Sequence, residues 1–74
     1  MELPKTAEEA RQRGWRKATD EEVAKMKADK RSKHNGESPE GYMCYEGPCS
    51  NGQRTICYNN GGGCSDCYTS SEGC

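Results

Sequence analysis

The stretch Tyr42–Cys74, YMCYEGPCSNGQRTICYNNGGGCSDCYTSSEGC, decides how this chain can fold. It holds all six cysteines: Cys44, Cys49, Cys57, Cys64, Cys67 and Cys74. Its other apolar residues are Met43, Ile56 and four tyrosines, with no Leu, Val or Phe. Fixing a backbone costs about 1–2 kcal/mol per residue. Full burial of a large apolar side chain returns about 1.5–3 kcal/mol. Met43 and Ile56 cannot offset the ordering of so much Gly, Ser, Asn and Thr, so the segment is either disordered or cross-linked, and six cysteines in 33 residues argue for cross-links.

Three chemistries can supply them. Three disulfides suit an even cysteine count in a short, loop-rich chain in an oxidising compartment. Each bridge adds about 2–4 kcal/mol, and about 15 pairings exist. Cys64 and Cys67 would close a very small ring, so each is expected to pair elsewhere. The second chemistry is zinc. Cys64-Ser65-Asp66-Cys67 is one CxxC, and Cys44 with Cys49 is a looser pair; four thiolates can hold a tetrahedral ion. Only one true CxxC exists, and two cysteines are left over. The third is thioether formation. A charged, cysteine-free, helical first half before a Cys/Ser/Thr/Gly-rich tail resembles precursors of ribosomally made, modified peptides, and would make the first half a leader.

The chain has 74 residues and a net charge of −1, so it carries no global bias toward nucleic acid or membrane. Met1–Asn35 carries ten Lys/Arg against seven Asp/Glu; Gly36–Cys74 carries one against five. The halves are therefore +3 and −4, a mild dipole rather than a polybasic patch. No apolar run has the length of a signal peptide or a membrane span. Disulfides point to an extracellular or cell-surface location, reached as an excised part of a longer protein or by another export route. Metal-bound thiols would point to the cytoplasm.

In the first half, Thr6-Ala7-Glu8-Glu9 forms a capping box and predicts a helix from Ala7 to Arg13, with Glu9 facing Arg13. Gly14 is the expected stop. Trp15 is expected to fold back over Leu3, Ala7 and Ala10. A second capping box at Thr19-Asp20-Glu21-Glu22, with an Ala18–Val23 staple, predicts a helix from Asp20 to Arg31 or Lys33. Glu21–Lys25 and Asp29–Lys33 are expected as spaced pairs. The apolar side of this helix is thin (Val23, Ala24, Met26, Ala28), so it needs a neighbour. His34 reads as an exposed loop residue. In the last third, Asn51-Gly52 is the strongest hairpin signal. Alternation beyond it puts Ile56 and Tyr58 on one face, with Thr55 and Cys57 on the other. Asn59–Gly63 is a flexible turn and lacks the lysine and helix of a phosphate loop.

The run Glu9-Ala10-Arg11-Gln12-Arg13-Gly14-Trp15 resembles the helix–Gly–Trp element of barnase-type secreted bacterial ribonucleases and of some bacterial toxin domains. The likeness is confined to this element and carries over none of that family's catalytic residues. It implies a secreted bacterial or phage origin and does not support nuclease activity.

These readings predict a small disulfide-rich protein of α plus irregular structure, with two short helices and a cystine-stapled cap bearing one β-hairpin. Its parts are a helical segment (1–35), a linker (36–41) and a cysteine-rich module (42–74). No catalytic constellation, cofactor site or metal site is assigned. The expected function is that of a non-enzymatic binding or structural module for a protein partner or assembly, with self-association left open and no nucleic acid. Tyr42, Tyr45, Tyr58 and Tyr68, expected to be exposed on the cap, and Trp15 are the candidate partner-binding residues. A modified-peptide precursor and a zinc-binding adaptor are the alternatives.

Overall fold

The computed structural model describes residues 2–74. The elements run α1 (Ala7–Gln12), β1 (Arg16–Lys17), α2 (Asp20–Ala28), β2 (Lys33–His34), β3 (Met43–Glu46), β4 (Arg54–Tyr58) and β5 (Asp66–Ser70). The strands form one five-stranded sheet in the order β1-β5-β4-β3-β2, with every neighbour antiparallel. The two helices are present as expected, but the α-plus-irregular description is corrected. The sheet is the organising element, and it takes an edge strand from each side of α2.

Helix α1 starts where Thr6 accepts the Glu9 amide proton through its hydroxyl at 3.1 Å. The return arm differs from a full capping box: the Glu9 carboxylate takes the Lys5 amide at 2.9 Å. The helix ends in a Schellman arrangement. The Trp15 amide donates to the Ala10 carbonyl at 3.0 Å and the Gly14 amide to Arg11 at 3.1 Å. Gly14 has φ +82°, which favours glycine there. This turn lays Trp15 back on Ala10, and the two join Ala7, Ile56, Tyr58 and Tyr68 in one buried cluster flanked by Leu3 and Met43.

Helix α2 begins with a complete capping box between Thr19 and Glu22. Ala18 and Val23 both pack toward the second core cluster, as a staple across the cap would. The helix is shorter than expected. Asp29 already has extended backbone, and its carboxylate accepts the Arg31 amide at 2.8 Å, a local turn that competes with further helix. Ser32 then donates its hydroxyl to the Met26 carbonyl at 2.6 Å. Lys33 and His34 leave as strand and pair with Glu46 and Tyr45. Asp29 therefore pairs with Arg31 rather than Lys33. The expected Glu21–Lys25 pair is absent among the ion pairs of the described residues.

The Asn51-Gly52 hairpin forms, with φ of 54° and 76° at the two turn residues and Ser50 opposite Gln53. Along β4 the expected alternation holds. Ile56 and Tyr58 face α1, whereas Cys57 belongs to a second cluster with Met26 of α2 and Cys67. The molecule thus has three layers, α1 on one face of the sheet and α2 on the other. The three disulfides are Cys44–Cys64, Cys49–Cys74 and Cys57–Cys67. Cys64 and Cys67 pair apart, as the small-ring argument required. Cys57 and Cys67 are directly opposite in the β4–β5 register, so that bridge is a cross-strand staple.

Candidate functional site

Five aromatic residues were expected to meet a partner, and the structure separates them. Tyr42 is exposed (49%) and pairs with Thr6 at the start of α1. Tyr45 is half-buried; its ring lies 5.2 Å from that of His34, and its hydroxyl donates to the Lys27 carbonyl at 3.4 Å. The expected exposure of Tyr58 and Tyr68 is corrected. Alternation puts both on the face that α1 covers, and they are buried. Tyr58 donates its hydroxyl to the Pro4 carbonyl at 2.7 Å, and burial pushes its phenol pKa above the ordinary value. Tyr68 accepts from the Arg11 guanidinium at 2.8 Å. Trp15 is buried beside them. Together Trp15, Tyr58 and Tyr68 form the core, so the cap carries no continuous tyrosine platform.

The described residues form a distinct recess on the opposite face. It has a volume of about 150 Å³ and lies between α2 and the loop carrying the Asn51-Gly52 turn. Met26, Thr55 and Thr69 form its base. Met26 is the buried residue of α2. The Thr55 and Thr69 hydroxyls hydrogen-bond each other at 2.8 Å across β4 and β5. Glu22, Lys25 and Asp29 line the helix side, and Pro48, Asn51 and Gln53 the loop side.

The loop wall is held from three directions. Gly47 sits so close to Met26 that a Cβ there would lie 2.3 Å from Met26 Cγ. Arg54 donates from Nε to the Gly47 carbonyl at 2.6 Å and pairs with Glu46 at 3.1 Å. Cys49, next to Pro48, is tied to Cys74. The hairpin turn is therefore fixed against the sheet by covalent, hydrogen-bonded and packed contacts.

Two of the three charges on the helix side are neutralised locally. Glu22 receives a two-pronged contact from Arg16, one prong at 2.8 Å, and accepts the Thr19 amide at 2.9 Å. These donors, Arg16 first, hold its carboxyl at a pKa of about 2. Asp29 is lowered mainly by its hydrogen bond from Arg31. Lys25 is in no ion pair among the described residues. The recess therefore combines an apolar and hydroxyl base with a single uncompensated cation at its edge.

Sequence reasoning did not find this site. Lys25, Met26, Thr55 and Thr69 come together only through the β4–β5 register and the docking of α2. The one local signal is Met26, the largest apolar residue on a helix whose apolar side is otherwise Val23, Ala24 and Ala28. The cysteines, assigned as cross-links, all lie in bridges, and the described residues contain no cluster of three or more His, Cys, Asp or Glu able to hold a metal. His34 lies on β2 with Nε2 3.9 Å from Cys64 Sγ.

No known protein family, curated protein or solved structure matches this chain.

Proposed function

We propose that this chain is a non-enzymatic, disulfide-braced binding module that works in an oxidising, extracellular or surface location and holds a protein partner at the recess between α2 and the Asn51-Gly52 turn. The observation that carries this reading is the placement of the Cys49–Cys74 bridge, beside the loop wall of the recess. A cross-link there fixes a binding surface before a partner arrives, which lowers the ordering cost of association. Three disulfides suit an oxidising location. No described helix is long and apolar enough to cross a membrane.

The leader-and-core alternative is disfavoured by one observation. β1 and β2, both from the first half, bound the sheet, and Ala7, Ala10 and Trp15 supply part of its core. A removable leader would take those contacts with it.

The test places a photo-crosslinking residue at Gln53, on the loop wall of the recess, or at Glu8, on α1, in the protein displayed to its native surroundings. The reading expects a discrete adduct from position 53 only, lost in the Cys49→Ser/Cys74→Ser variant while the other two bridges keep the sheet. Equal adducts from both positions, or an adduct indifferent to the bridge, would overturn it. Intact mass before and after reductant checks the premise. A gain of about six hydrogens is expected for three disulfides, whereas full thiol mass under denaturing conditions would favour zinc and an irreversible mass change would favour thioethers.

A further inference from the structure

We infer that the recess is an anchor pocket for one chain-terminal aliphatic residue of a partner, such as Leu or Val, with Lys25 holding its free α-carboxylate. The inference rests on the binding-module reading and names the ligand of that same site.

Size comes first. Sites for drug-sized molecules span about 300–1,000 Å³. The recess, at about 150 Å³, lies below that range. It matches the volume of a cavity that accepts a single benzene-sized group. One branched aliphatic side chain fills such a space; a dinucleotide or an oligosaccharide does not fit.

The base selects an apolar group. Met26 adapts its unbranched thioether to the shape of what enters. The Thr55 and Thr69 hydroxyls already hydrogen-bond each other, so the base is left with one free O–H and no charge.

The rim selects an anion. Glu22 and Asp29 are engaged by Arg16 and Arg31, which leaves Lys25 as the uncompensated charge. Asp20 and Glu21 of the same helix are likewise in no ion pair among the described residues but do not line the recess, so Lys25 is the one unpaired charge among its lining residues. An ammonium beside an apolar recess favours a ligand whose negative charge sits next to its hydrocarbon, not at the far end of it. A terminal Leu or Val has that arrangement, because its carboxylate and side chain leave the same Cα. An Asp or Glu side chain would bring its charge onto the apolar base, at a desolvation cost.

The experiment titrates the oxidised protein with three peptides of one sequence: N-acetyl-Ala-Ala-Leu as the free acid, the same peptide as its C-terminal amide, and the acid ending in Asp. The Met26 methyl and the Thr69 amide report occupancy by NMR. The free acid ending in Leu is expected to shift both and to bind about tenfold more tightly than the amide, as a charge-assisted contact warrants. The Asp peptide is expected to leave the Met26 methyl unmoved. Lys25→Gln is expected to bring acid and amide to within about twofold of each other; the residue is exposed, so the fold is kept. Equal binding of acid and amide by the unaltered protein would overturn the carboxylate assignment and leave the module reading standing. So would peptides that leave Met26 unmoved while the cross-link from position 53 persists. Loss of that cross-link as well would remove both.

Discussion

Trp15 combines two opposed contributions. Its ring is 4% exposed and packed among Ala7, Ala10, Ile56, Tyr58 and Tyr68, yet its indole Nε1 has no hydrogen-bond partner among the described residues. Removing the ring creates a cavity, and Trp15→Ala is expected to cost about 3–5 kcal/mol. A buried unpaired N–H costs about 1–3 kcal/mol. Trp15→Phe removes that donor while keeping most of the volume, so it is expected to cost less than half as much. Urea unfolding of the oxidised variants measures both. At Glu22 the argument is electrostatic. The folded carboxyl has a pKa of about 2 against an ordinary value of 4.5. A depressed acid adds stability above its unfolded pKa and loses it as pH falls toward the folded one. The advantage of the unaltered protein over Glu22→Gln is therefore expected in full at pH 6, to shrink below pH 4.5 and to be nearly gone at pH 2. Urea midpoints across that window would show it. Because the pair is partly exposed, the advantage should also fall with added salt.

At the scale of elements, the contact between α2 and the β3–β4 loop turns on one missing side chain. A Cβ at Gly47 would meet Met26 Cγ at 2.3 Å and the Thr55 carbonyl at 3.0 Å. Gly47→Ala is expected to cost about 1–3 kcal/mol through overpacking. Met26→Ala should be costly alone yet recover part of the loss in combination, a negative coupling that a double-mutant cycle of urea midpoints would detect. Much of this scale was legible in the residues. Thr6 and Thr19 marked both helix starts, Gly14-Trp15 marked the first stop, and Asn51-Gly52 marked the hairpin. These signals are local, and local hydrogen bonds satisfy them. The rest was hidden for a physical reason. Arg16–Lys17 and Lys33–His34 have no β-branched residue and become strands only because β5 and β3 offer them a ladder. The same holds for the recess, whose base needs Thr55 opposite Thr69. The tyrosines were misjudged because Tyr58 and Tyr68 look like surface residues until α1 covers their face.

For the whole molecule, the cross-links outweigh the core. A single core of this size supplies at most about 3–5 kcal/mol, and each disulfide about 2–4 kcal/mol. Full reduction is therefore expected to unfold the protein at neutral pH without denaturant. The far-UV sheet signal should be lost, and the fluorescence of Trp15, the only tryptophan, should move to that of a hydrated indole; retention of both after complete alkylation would contradict this balance. The sheet's termini-to-centre order has a different effect. β5 is the last strand in sequence, yet it lies between β1 and β4. β1 thus has nothing to pair with until residues 66–70 have been made, almost fifty positions later. At about 5–20 residues per second, a ribosome takes roughly 3–10 s to cover that distance. Throughout that interval the growing polypeptide lacks the β4–β5 pair and the Cys57–Cys67 staple. The topology therefore defers closure of the sheet, and the seating of β1 at its edge, until synthesis has passed β5.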